Sequence, residues 1–395
     1  MQKTTNKVAY LDGIRGMAAL SVFLHHYLLV FYSSFYTFDT GSSHLHNAEI
    51  TYGKSIVSVL SGGSFPVGVF FVLSGYVLSR KYFITNLQEV MVSGAYRRFI
   101  RLYVPVAFTM IIAFVLMKAN LFFNVPASRI QHSEWWLGNM WTFPHPLQRL
   151  ITCLRVGTMF QGDNAFDTTL WTMSIELTGS FLVFAFLALT HNTRHKLLSL
   201  LLLFLLCVVT YNRPMAAFVF GISLNYVEDA VPSLNQRLSG ILAAAFLVFG
   251  LVLGSFPDSG DFSGTIFGYI PWVFTKAAHW VHVSGAYLLV LAFVLSPRLQ
   301  QIISLRVFRF LGYISFALYL LHPLVIGSLS CYLLLHMYPY IGYNHAALYI
   351  FLITAAVCIP ASWLMARYID DPGIKLSKYV YKRWFKKREP ETVGE

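Results

Sequence analysis

Charge is scarce in this sequence: Asp, Glu, Lys and Arg make up 12% of its 395 residues, where a soluble domain carries about a quarter. With 56% hydrophobic residues and a mean hydropathy of +0.60, that scarcity excludes an ordinary water-soluble globule and implies an all-α, polytopic membrane protein. Acidic residues are the scarcest, 17 against 29 Lys and Arg, for a formal net charge of +12. An excess of that size suggests nucleic acid in a soluble chain. Here the cations lie between apolar runs and form no patch interleaved with exposed aromatics, so no nucleic-acid partner is expected. Cysteine is rare too. Cys153, Cys207, Cys331 and Cys358 are scattered without any Cys-x-x-Cys pairing, which argues against a zinc cluster or a redox pair and leaves them as packing residues. No internal repeat or low-complexity linker is seen, and no appended soluble domain is expected. A cleavable leader is also missing, because the stretch after Lys3 and Lys7 is longer than a signal-peptide core and has no small-residue cleavage site. It reads as a retained first span.

Apolar runs long enough to cross about 30 Å of hydrocarbon occur ten times, at 10–32, 56–79, 103–120, 170–190, 197–211, 214–227, 238–254, 279–295, 311–333 and 345–366. The sixth is short, follows Arg213 and Pro214, and either tilts little or pairs with the fifth as a hairpin. An even number of spans with Lys3 and Lys7 inside puts both termini in the cytoplasm. Of the 29 Lys and Arg, 22 then fall on the inner side, as the positive-inside rule requires. Residues 1–372 read as one membrane-embedded domain and 373–395 as a basic cytoplasmic tail. The tail's run from Lys382 to Arg388 mixes cations with aromatics, suiting anionic lipid headgroups. Lys81 to Arg101 reads as a segment lying on the inner surface. The longest connection, Leu121 to Thr169, carries Trp135, Trp136, Trp141, His132 and His145, either to cover a site or to anchor at the interface.

Ionisable residues within the spans cost roughly 2.5 to 3.5 kcal/mol each at mid-bilayer, so they usually face a protein interior or cavity. The first span carries Arg15, His25 and His26. At about 100° per residue, Arg15 and His26 lie about 20° from a common face and roughly 16 Å apart along the axis, whereas His25 points about 80° away. The alternative is that the two His serve polar contacts between packed helices. Counting from the same membrane surface, His26 and Glu176 in the fourth span reach equal depth. That makes them candidate acid/base partners, the carboxylate orienting the imidazole, unless Glu176 bonds Ser or Thr in helix packing. Arg15 and Arg80 sit near the inner ends of their spans and suit a phosphorylated ligand, since guanidinium grips phosphate oxygens in a bidentate fork. Positive-inside placement accounts for Arg80 as well. His322-Pro323 interrupts the ninth span, where a Pro frees carbonyls that commonly line cavities. His279 with His282, and His44 with His46, lack a carboxylate or cysteine at ligand spacing, so no metal site is expected.

Several of these stretches together resemble acyltransferase family 3, the integral-membrane O-acyltransferases. Tyr10 to Gly16 with His25-His26 is similar to the family's opening, Arg15 and His26 standing ten residues apart. Phe70 to Tyr76 with Arg80 resembles its second-span motif, and Arg97 to Pro105 its basic stretch. Leu170 to Glu176 resembles its Trp and Glu signature, Leu311 to Pro323 its late-span motif, and Ile369 to Pro372 its terminal acidic-Pro element. The matches run in order from 10 to 372. Departures are Gly179 and Ser180, where many members are bulkier, and Asp370-Asp371 in place of Glu-Arg.

The resemblance implies about ten helices and transfer of an acyl group, often acetyl from acetyl-CoA as co-substrate, to a hydroxyl of a sugar, glycan or small molecule. No bound cofactor or metal is expected. The catalytic candidates are His26 and Glu176, and the donor-binding candidates Arg15 and Arg80. His25, Ser74, Trp171 and His322 are possible supporting residues. Partners would be acyl-CoA, the hydroxyl-bearing acceptor and membrane lipids, in a bacterial inner membrane by preference. The competing reading is a transporter using the same charges as a proton or substrate pathway, though the two matching halves common in transporters are missing.

Overall fold

The computed structural model describes residues 8–258, 263, 265–268 and 278–384, without the side chains of 278 and 279. Lys3, Lys7, Lys276, the side chain of His279 and the end of the basic run from Phe385 to Arg388 lie outside the described residues. Among the described residues the chain is helical and contains no strand. Its principal helices are α1 (Ala9–Phe31), α2 (Ser64–Thr85), α3 (Gln88–Lys118), α4 (Trp171–Thr190), α5 (Lys196–Val209), α6 (Arg213–Ala230), α7 (Gln236–Gly254), α8 (Ala278–Leu295), α9 (Arg306–Val325), α10 (Tyr343–Met365) and α11 (Asp371–Trp384).

Each apolar run seen in the sequence becomes a helix, with shifted limits. The second begins at Ser64, because Ile56–Ser61 forms a separate 3-10 turn. The third begins at Gln88: the expected surface segment divides, Lys81 to Thr85 ending the second helix and Gln88 to Arg101 running on through Pro105 into the span as one continuous helix. Among the described residues, seven helical stretches are long and apolar enough to cross a membrane, or eight if α8 is joined to Pro297–Ile303 across a 103° bend. Two runs fall short. α5 has only 14 residues, and α6 carries Arg213, Glu228 and Asp229 within its 18. α9 continues through a π-helical turn, Ile326–Ser330, into Cys331–Ile341. Another such turn, Ala366–Asp370, joins α10 to α11.

Helices in lipid gain nothing from burying apolar faces against each other, so their contacts depend on close backbone approach through small residues. α1 and α9 show this most clearly. A Cβ added to Gly312 would stand 2.1 Å from the Asp12 carbonyl oxygen, and one on Gly16 would stand 2.6 Å from the Gly312 nitrogen. Gly75 and Gly221 join α2 to α6 in the same way, and Gly250 and Gly285 join α7 to α8. Gly179 answers to packing as well: the Phe218 ring occupies the space its side chain would take. The bundle thus has two distinct ends. One gathers the starts of α1, α3 and α9 with α11 and most of the cations; the other carries residues 32–63 and the long 121–169 connection. The tail does not trail away from the bundle. Gly373, Ser377 and Tyr381 of α11 are buried, with Gly373 against Val104 and Tyr381 beside Tyr96 of α3.

The α1–α9 contact has a measurable consequence. Gly312→Ala should lower the unfolding temperature of the purified protein, at a cost of about 1–3 kcal/mol for the forced separation. Gly240→Ala, with nothing within 4 Å of the new methyl, should be neutral or stabilising by about 0.5–1 kcal/mol. Equal stability of the two variants would rule out the contact as a constraint.

Candidate active site

A cavity of about 220 Å³ runs through the middle of the bundle from the basic end. Asp12 and Arg15 of α1, Ser74 of α2, Arg98 and Arg101 of α3, Glu176 of α4, Tyr313 and Tyr319 of α9, and Asp370 and Asp371 at the start of α11 line it. Of its three arginines, two have carboxylate partners. Arg98 is buried and forms a charge-assisted bond to Glu176, and its Nε donates to Ser180 Oγ at 2.7 Å. Arg15 lies 3.6 Å from Asp12, one turn earlier on its own helix. Arg101 is exposed at the rim, within electrostatic reach of Arg15, Arg97 and Arg98. Four carboxylates, Asp12, Glu176, Asp370 and Asp371, share the lining with these three cations, so Arg101, the one without a carboxylate partner among the described residues, is the cation best placed to meet an anion. Tyr313 donates to Asp371 at 3.0 Å and ties α11 to the wall.

The opposite end of the cavity closes on aromatic side chains. The Tyr319 hydroxyl meets Thr172 Oγ1 at 3.0 Å, and the Phe70 ring packs edge-on against it at 5.8 Å. One turn further along α9 is His322. Its ring centroid is 6.4 Å from that of Tyr319, and its Nε2 is 2.9 Å from Nδ1 of His26. Trp136, from the long connection, stacks on the His26 ring at 5.6 Å.

The meeting of the two imidazoles follows from helix arithmetic. α1 and α9 run parallel and touch at Gly16 and Gly312. His26 and His322 each lie ten residues beyond that contact, about 15 Å along each axis. They therefore arrive side by side.

The sequence-based candidates separate into groups. Arg15 lines the cavity, Ser74 donates to Glu176 Oε1 in its wall, and His322 joins His26. The expected pairing of His26 with Glu176 does not form: Glu176 bonds Arg98 and Ser74, and His26 bonds Val22 and His322. Equal depth did not bring them together because α9, not α4, presents a side chain to that face of α1. Arg80 is not a cavity residue either. It forms a bidentate pair with Glu228 of α6, at 2.9 and 3.3 Å. His25 points elsewhere, as the helical angle required, bonding the Ser61 carbonyl at 3.1 Å and packing on Tyr36. Trp171 is 43% exposed and stays outside. Each tryptophan of the long connection does something different: Trp136 covers His26, Trp141 is buried and donates to the Phe166 carbonyl at 2.8 Å, and Trp135 is exposed. His282 bonds the Phe256 carbonyl at 2.7 Å and lies 3.5 Å from Asp258, and His44 stacks on Tyr343 at 3.7 Å.

Sequence reasoning missed Arg98, Arg101, Tyr313 and Tyr319 as cavity residues. The signal was there in part, since Arg98 and Arg101 stand three apart and share a helix face. Ser180, a departure from the family pattern, accepts from Arg98 Nε beside the Glu176 pair.

Asp167, just before α4, sets the closed end. One oxygen accepts from the Thr169 amide and hydroxyl at 2.8 and 2.9 Å, and the Thr169 carbonyl then receives Thr172. The other oxygen is buried without a hydrogen bond. Burial pushes the carboxyl up to about 7, outweighing the bonds from Thr169. A carboxyl raised in this way favours folding below its unfolded pKa, and the advantage is lost as pH rises through the folded value. Thermal stability measured from pH 4 to 7 should therefore decline less steeply in Asp167→Asn than in the parent protein, and parallel curves would exclude this contribution.

A family model described as an acyltransferase domain matches residues 8–367. The chain is 25% identical to O-acetyltransferase PaAT-1 of Phomopsis amygdali, the match covering 98% of this chain and 87% of that one. It is 24% identical to acyltransferase clz18 of Cochliobolus lunatus, over 95% of this chain and 96% of the relative. Acyltransferase R4 of a Phoma strain is 22% identical, over 97% of each. All three relatives are fungal and give no support to a bacterial membrane. No solved structure matches the chain.

Proposed function

This chain belongs to acyltransferase family 3 and is a multi-pass membrane enzyme that transfers acyl groups, and from that premise we propose that it moves an acetyl group from acetyl-CoA to a hydroxyl of a small-molecule or sugar acceptor. The observation that carries the reading is the position of the cavity. A tunnel walled by Arg15, Arg98 and Arg101 ends one helical turn from a hydrogen-bonded imidazole pair. The cations at the rim suit the donor's phosphates, which they grip through planar, multi-donor guanidinium groups. The interior takes the pantetheine arm and brings the thioester to Tyr319. Transfer to oxygen, and acetyl as the group, draw support from the name of the Phomopsis relative, an O-acetyltransferase.

His26 is the general base in this scheme. It takes the proton of the acceptor hydroxyl as that oxygen bonds the acyl carbon, the carbon–sulfur bond breaks, and the thiolate leaves with the proton from His26. Glu176 belongs with Arg98, holding it in the wall through one shared oxygen. The cation-rich end is placed in the cytoplasm with both termini, on the positive-inside rule. Ten crossings are reached if α5 and α6 pass through as a short hairpin, beside α8 and the seven longer stretches. No separate observation favours a transporter.

Two measurements test the reading. His26→Ala should lose about 10²–10⁴ in kcat, with His25→Ala much closer to the parent, in an assay of acetyl transfer by mass spectrometry of extracted glycans and metabolites. Full activity in His26→Ala would remove it as the base. Arg98→Gln and Arg101→Gln should raise the KM for acetyl-CoA, while Arg80→Gln, whose cation pairs with Glu228 away from the cavity, should leave it unchanged. An effect confined to Arg80→Gln would place the donor elsewhere.

A further inference from the structure

We infer that His322 is a positioning residue: it fixes the tautomer of His26, so that Nε2 of His26 is the bare nitrogen available to the acceptor. The inference rests on the acyl-transfer reading and adds which atom acts and what sets it. Nδ1 of His322 lies 2.8 Å from the Leu318 carbonyl oxygen. A carbonyl only accepts, so the hydrogen is on that Nδ1. Nδ1 of His26 lies 3.2 Å from the Val22 carbonyl oxygen and 2.9 Å from Nε2 of His322. A carbonyl on one side and the bare Nε2 of His322 on the other both only accept, so that Nδ1 carries the one hydrogen, shared between them. Two hydrogens cannot face each other across the 2.9 Å contact, so Nε2 of His322 is the acceptor and is unprotonated. In the neutral pair, Nε2 of His26 is then the one nitrogen left with a free lone pair and, among the described residues, without a hydrogen-bond partner.

The arrangement is that of a carboxylate holding a catalytic histidine by its Nδ1–H, with a neutral imidazole as the holder. His322 takes no proton. When Nε2 of His26 receives the hydroxyl proton, Nδ1–H stays bonded to His322, and the Trp136 face stacked on the ring offers its π density to the cation formed. A carboxylate in the same place would add a second charge at membrane depth. The neutral holder avoids it, and it is fully buried.

The test separates this inference from the reading beneath it. His322→Leu should lower kcat by about 10²–10⁴-fold, as loss of the correct tautomer does in a triad, with the KM for acetyl-CoA unchanged. His322→Gln places an amide oxygen where Nε2 was and should recover most of that loss. A merely structural role predicts no rescue by Gln over Leu when both variants show the parent's unfolding temperature. Parent-like kcat in His322→Leu, or equal loss in Leu and Gln, overturns the assignment while an inactive His26→Ala leaves acyl transfer standing. If His322→Leu does not fold, ¹⁵N NMR of histidine-labelled parent protein, with His26→Gln to identify the signal, reads the tautomer directly. A protonated Nδ1 and bare Nε2 on His26 are expected, and the reverse pattern overturns the inference.

Discussion

The backbone contact between α1 and α9 sets the geometry on which the site depends. Without a hydrophobic drive between helices in lipid, two spans come this close only where side chains are absent. Gly16 and Gly312 provide that absence. Because the helices are parallel and rise equally, one crossing point determines every later pairing along them. Arg15 falls beside Tyr313 at the cavity's start and His26 beside His322 beyond its end. A shift of one turn, about 5.4 Å, would separate the imidazoles.

Electrostatics in a low-dielectric interior arranges the rest. A charge at that depth needs a partner or water, and each of three cations found a carboxylate: Arg98 took Glu176, Arg80 took Glu228, and Arg15 took Asp12. Such pairs add little net stability, but removing one member leaves the other charge buried, so they hold side chains in place. Glu176 thereby keeps Arg98 turned to the cavity through an oxygen that Ser74 also bonds. The imidazoles obey the same economy without ionising, since a neutral pair anchored to two backbone carbonyls satisfies its donors at no cost in charge.

The bundle's two ends suit the two partners of a transfer reaction. At one, α11 folds back on α3, and its Lys375, Lys378 and Lys382 are exposed. At the other, the long connection lays Trp136 over His26. Its remaining indoles pack inward or face out. Tyr319, held by Thr172, stands between the two ends.

The sequence by itself determined a great deal here. Scarce charge and apolar runs identified a helical membrane protein; the ordered motifs identified the acyltransferase family; and the 3.6-residue period placed Arg15 and His26 on one face and turned His25 aside. These are local properties, legible because they depend only on composition and on a residue's neighbours along one helix. Which helix stands next to α1 is not local. Depth counting placed Glu176 level with His26, yet equal depth is shared by every span, and only the glycine contacts select α9 as the neighbour. Arg80 looked like a donor ligand because nothing in its own helix announces Glu228, which lies 148 residues later. Arg98 and Arg101 read only as members of a surface segment that puts several arginines near the donor side, until α4 and α11 closed a cavity against them. The tertiary structure decided the partners, because pairing of buried polar groups is a contest among all the groups that reach one place, and reach is set by helix packing.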